Sequence, residues 1–174
     1  LDALGIRLDG PTVLDIPPLR FATAARPQDD PVLVDVGGSL VAVWAEEDVD
    51  TGWDIRMGRL SPDGVLLDGD GAVVAGTSGV ERFPSVGWDG SRVLVTWWDD
   101  ADPVGRMLAR PMQPDGTPSG AATVLGTGVT QHRAAIASAG EGFAVAWGRQ
   151  IVGMQNEIRL QMFDGGGDVA GAST

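Results

Sequence analysis

The chain has 174 residues, of which 43% are hydrophobic and 21% charged, a composition that fits one globular domain and excludes a disordered segment. Its 12 basic residues are all arginines, set against 24 acidic residues for a net charge of -12. The absence of lysine excludes Schiff-base chemistry, the absence of cysteine excludes thiol catalysis, cysteine-ligated metal and disulfides, and the negative field argues against nucleic acid or an anionic membrane as partner.

In chain order, residues 1–8, the Asp9-Gly10 turn and residues 12–16 read as a hairpin. A first full unit follows: strand 31–36, turn Gly37-Gly38, strand 40–45, acidic loop 46–52, strand 54–60, turn Asp63-Gly64 and a fourth strand opening at 65–67. The second unit repeats the order with 83–88, turn Asp89-Gly90, 93–98, loop 99–103, 105–112, turn Asp115-Gly116 and 121–125. The third has 133–138, turn 140–142, 143–148, a loop to Gln155, 157–163, turn Asp164-Gly165 and a weak strand near Val169. Glycine at these turns supplies the positive φ of tight hairpins, and no interval is long enough for a ten-residue helix.

Two landmarks make this one repeat. An apolar run ends in Trp44, Trp97 and Trp147, at spacings of 53 and 50 residues, and each Trp is followed by an Asp-Gly pair in constant phase. Residues 40–44 (Leu-Val-Ala-Val-Trp) carry no polar side chain on either face, so the second strand of each unit has to be covered on both sides. Sheets of four strands stacked radially satisfy this, whereas a two-layer sandwich explains neither the period nor the two-sided burial. The expected fold is all-β, a β-propeller with about three and a half four-stranded blades: a half-blade at 1–20 and blades at about 31–75, 83–126 and 133–172.

The units open on a Pro or small residue, run through Trp, carry Arg on the third strand (Ile55-Arg56, Ile158-Arg159) and close on Asp-Gly. This pattern resembles the repeats of about 50 residues in bacterial secreted and cell-surface β-propeller proteins. The resemblance implies an extracellular or cell-surface location and a binding or structural role, and it carries little information on activity. Closed propellers have four to eight blades, so three and a half require completion, either by the rest of a longer polypeptide, which is favoured because two copies would each bring the same half-blade and pair the wrong halves, or by further chains.

Candidate site residues follow from this geometry. The loop after the second strand places Glu46, Glu47, Asp48, Asp50 and Asp54, and Asp99, Asp100 and Asp102, on one rim. Asp48, Asp50, Asp54, Asp99, Asp100 and Asp102 are the candidate calcium ligands, Asp48 and Asp50 in an Asp-x-Asp opening. The twelve-residue calcium-loop pattern fails because position 59 is Arg, and solvated turn chemistry is the favoured account of these aspartates. Trp53, Trp88 and Trp98 do not recur in the repeat and are the candidate ligand-stacking residues. Arg56, Arg106 and Arg159 are read as ion-pair partners of acidic residues. His132 has no nucleophile-elbow sequence beside it. The function expected is a non-catalytic binding or structural module with a protein or glycan ligand. The alternative is a glycan-active hydrolase using loop carboxylates, in which case carboxylates of several units converge at the centre.

Overall fold

The computed structural model describes residues 3–20, 25–100, 104–129, 132–149 and 157–171. All regular structure among them is β, so no helix is long and apolar enough to cross a membrane. An N-terminal hairpin consists of β1 (Leu4–Gly5), β2 (Leu8–Asp9), β3 (Thr12–Val13) and β4 (Leu19–Arg20), with β1 paired to β4 and β2 to β3. The first unit is β5 (Gln28–Asp35), β6 (Leu40–Asp48), β7 (Gly52–Leu60) and β8 (Ala72–Ala75). The second is β9 (Gly79–Trp88), β10 (Val93–Asp99), β11 (Arg106–Met112) and β12 (Thr123–Thr127). The third is β13 (Ala135–Ser138), β14 (Phe143–Arg149), β15 (Glu157–Phe163) and β16 (Val169–Ala170). Within each unit the strands pair in sequence order and antiparallel, and a two-residue parallel ladder, Gly52↔Gly79 and Trp53↔Val80, ties the first unit to the second. The sheets described do not close on themselves.

The units pack face to face. One core joins Val41, Val43, Ala45, Ile55 and Met57 of the first unit to Val93, Val95 and Trp97 of the second. Another joins Leu94, Trp98, Met107 and Ala109 of the second to Phe143, Val145 and Trp147 of the third. A smaller one places Ala3 of the N-terminal segment against Ala42, Trp44 and Leu60. The three recurrent tryptophans are buried, each facing the preceding unit, and every residue of β10 is buried, as two-sided covering requires. Gly71 shows how tight the packing around Trp44 is: a Cβ there would lie 2.5 Å from Trp44 Cη2 and 2.9 Å from the Met57 carbonyl oxygen, at φ +77°.

The fourth strand of the first unit lies later than 65–67. Asp68 takes the Arg59 N–H at 2.7 Å, which interrupts the ladder beyond an isolated Leu60↔Leu66 bridge. Pairing resumes at Met57↔Ala72, so the strand is Ala72–Ala75. The predicted acidic loop is also shorter than expected, because the β6–β7 ladder continues to Asp48↔Gly52. Glu46 and Asp54 thereby become buried strand residues. Of the calcium candidates, Asp102 lies outside the described residues.

Candidate functional site

The first strands of the three units come together, and a repeated irregularity decides what they present. In β5 the pairs Asp29↔Ala45 and Val32↔Val43 leave Asp30 and Pro31 opposite Trp44 alone. In β9 the pairs Arg82↔Trp98 and Ser85↔Thr96 leave Phe83 and Pro84 opposite Trp97. Proline has no N–H for the ladder, so the chain bulges two against one, and the residue before each proline takes a positive φ, 55° at Asp30 and 56° at Phe83. The third unit has Arg133-Ala134 in the same place, before the first ladder pair Ala135↔Ala146.

These bulges gather charge from all three units. Arg82 donates to the carboxylates of Asp29 and, at 3.3 Å, Asp30. Arg133 Nη2 lies 3.4 Å from Asp30 Oδ1 and 3.3 Å from its carbonyl oxygen. The Arg82 guanidinium also stands 4.4 Å over the ring of Trp53 and 5.5 Å from that of Phe83. A half-buried pair of carboxylates, two guanidiniums and two rings thus meet where β5, β9 and the approach to β13 converge. The centre is charged, and its carboxylates come from the first unit alone.

A second polar layer lies two residues beyond each recurrent tryptophan. Glu46 accepts from Trp44 Nε1 at 3.3 Å and Gln28 Nε2 at 3.2 Å, and its Oε1 lies 3.0 Å from Arg56 Nε in an ion pair without hydrogen-bond alignment. In the second unit the cross-strand row is Glu81, Asp99 and Arg106, with Arg106 Nη2 2.7 Å from Asp99 Oδ2. In the third the signs are exchanged: Glu157 takes Arg149 and, at 2.7 Å, Arg159. The three strand-borne arginines are therefore paired within their own units. Glu81 is fully buried, Oε1 accepts from Thr77, and burial, then the charges of Asp99 and Asp54, push its carboxyl up to about 7. Burial likewise raises Asp54. Asp48, by contrast, is lowered by the Asp50 backbone N–H at 3.0 Å, with Arg26 adding to the effect.

Trp53 is the candidate tryptophan on which the Arg82 guanidinium stacks. Trp88 packs half-buried on the core between the first two units, and Trp98 is buried, its Nε1 donating to the Val129 carbonyl at 3.0 Å with Phe83 edge-on at 6.4 Å. Asp99 is buried in its pair with Arg106, and Asp100 Oδ1 accepts the Val80 N–H at 2.7 Å. Among the described residues no three histidine, aspartate or glutamate side chains are grouped as a metal site would need. Sequence reasoning missed Asp29, Asp30, Arg82, Arg133 and Glu81. The residue before the opening proline of each unit was the available signal for Asp30, because bulges re-aim side chains there.

No protein-family model and no curated protein sequence matches the chain. Among solved structures it is similar to an α-L-arabinofuranosidase from Lactobacillus brevis, with a TM-score of 0.61 and 13% identity over 91% of this chain and 58% of that one. It is also similar to an endo-arabinase from Bacteroides thetaiotaomicron, with a TM-score of 0.52 and 12% identity over 82% of this chain and 61% of that one. The class this defines is one of fold: an all-β chain similar to β-propeller glycoside hydrolases. The chain spans about three fifths of the length of either.

Proposed function

We propose that the chain is part of a carbohydrate-active β-propeller that takes an arabinose-containing glycan at the convergence of β5, β9 and the approach to β13. The central charged cluster carries this reading, and the two solved neighbours support it. Asp29 and Asp30 accept hydrogen bonds from sugar hydroxyls, Arg82 and Arg133 hold them in place, and Trp53 and Phe83 give the cluster an apolar side. In hydrolysis Asp30 acts on water or on the anomeric carbon, and a carboxylic acid from a further unit protonates the leaving oxygen. A further blade-type sheet packs on the apolar outer face of β14 and β15, where Ile158, Leu160 and Met162 are 75, 42 and 39% exposed.

A binding module without turnover is the second reading, favoured by the origin of the central carboxylates in one unit only. One experiment separates the two: calorimetric titration with arabino-oligosaccharides together with product analysis, on the protein and on Asp30→Asn and Arg82→Ala. Loss of turnover in Asp30→Asn supports the hydrolase, and binding without products, weakened about tenfold in either variant, supports the module. Absence of both binding and turnover overturns the glycan reading.

A further inference from the structure

The N-terminal hairpin repeats the β7–β8 half of the first unit. Arg7 N–H donates to Asp15 at 2.8 Å and Arg59 N–H to Asp68 at 2.7 Å, each guanidinium returns to the same carboxylate, and Leu14 and Leu67 donate to the Arg7 and Arg59 carbonyls at 3.0 and 2.9 Å. Residues 4–8 therefore stand where 56–60 stand in β7, a stretch that pairs with β6. Among the described residues β1 and β2 pair only with β4 and β3, so no strand lies where β6 would. The face of the first unit beside this edge is open too. Leu33, Val86 and Ile136 are equivalent, each opposite the residue two before a recurrent tryptophan. Val86 packs on the core between the first two units and Ile136 on the next one, where a Cβ on Gly87 of β9 would lie 2.5 Å from its Cγ2. Leu33 is 50% exposed. At the bulge, Pro84 and Ala134 are buried while Pro31 is exposed.

We propose that the gap between the open edge of β1 and β2 and the face of β5 carrying Pro31 and Leu33 is a docking site for a β-hairpin of the kind formed by the first two strands of each unit, supplied from outside the 174 residues. The closed junctions name the occupant: β9, a first strand, covers Ile136, and β6, a second strand, pairs with the stretch of β7 that residues 4–8 repeat. A second copy has no such hairpin to spare, since β5–β6, β9–β10 and β13–β14 are each paired within their own units. The unpaired N–H and C=O groups of the edge give affinity by strand addition. Leu4, Ile6 and Leu8, at 51, 50 and 60% exposure, offer apolar cross-strand neighbours to a run such as 93–97. No central charge takes part, so the inference stands apart from the function proposed above.

The test is titration of the 174-residue protein with a synthetic peptide of residues 79–100, a copy of the chain's own β9–β10 hairpin, read by calorimetry and amide hydrogen exchange. Saturable binding protects the amides of residues 4–8, and a peptide carrying Leu94→Pro and Val95→Pro, which lacks the ladder N–H groups, binds at least about tenfold more weakly. Leu33→Asp in the protein, at an exposed position that leaves the fold intact, weakens binding about tenfold as well. No heat and no protection at about 1 mM peptide overturns the proposal, as does equal binding of the proline peptide. Protection confined to 157–163 puts the peptide on β15 and overturns it too. A dimer of the free protein that Leu33→Asp dissociates assigns this face to a second copy, with the same consequence.

Discussion

Ile55 and Ile158 occupy the same position on the third strand of the first and third units, each followed by an arginine, yet Ile55 is fully buried and Ile158 is 75% exposed. Their neighbours follow suit: Met57 is sealed and Leu160 is 42% exposed. On the adjacent strand Val41, Val43 and Ala45 lie in the first core, whereas Ala144 and Ala146, at the first two of these positions, are only half-buried. The strand chemistry is the same in both units. The difference is the presence of a next sheet, and apolar side chains on a paired strand specify a face for burial without supplying what covers it.

The largest effect expected tests that contrast directly. Ile55→Asp buries an unpaired carboxylate and costs more than about 4 kcal/mol in urea denaturation, whereas Ile158→Asp changes stability by less than about 0.5 kcal/mol. Equal losses would show that the outer face of the third unit is covered in solution. A pH series sharpens the account of the sealed junction. The Glu81 carboxyl, raised from 4.5 to about 7, binds its proton more tightly in the folded state, so stability falls as pH rises from about 4.5 to 7. The fall amounts to roughly 3 kcal/mol and is absent from Glu81→Gln. A difference between the two proteins that stays flat from pH 5 to 8 would remove this assignment.

Packing at turns gives a smaller contrast of the same kind. Gly71→Ala drives a methyl into Trp44 and costs about 3 kcal/mol by thermal denaturation, while Gly90→Ala, at φ +103° with open space around it, costs about 1 kcal/mol from backbone strain alone. The smallest effect belongs to the exposed Arg59–Asp68 pair. Arg59→Ala lowers the thermal midpoint least of these variants and the loss shrinks further in high salt, because solvent screens the pair.

Much of the architecture was legible from local chemistry. The turns at Asp63-Gly64 and Asp115-Gly116, and the apolar runs ending at Trp44, Trp97 and Trp147, depend on backbone conformation and two-sided hydrophobicity, both properties of short segments, whereas in the third unit the positive-φ glycine is Gly167, two residues beyond the expected Asp164-Gly165. The candidate site was less legible. Asp99 and Glu46 read as rim carboxylates and lie buried, because extra rungs of the ladder carried them into the sheet. Trp98 read as a ligand platform and instead serves the core between the second and third units. Arg82 and Arg133 carried no signal, since their partners Asp29 and Asp30 lie far away in sequence.

The sequence by itself determined that this chain forms all-β four-stranded units in series, since period, turn residues and apolar runs act over a few residues. Only the tertiary structure decided which carboxylates are buried and which arginines meet Asp30. The contacts of Asp29 and Asp30 with Arg82 and Arg133 join segments about 50 to 100 residues apart, where separations of a few ångströms decide which groups pair.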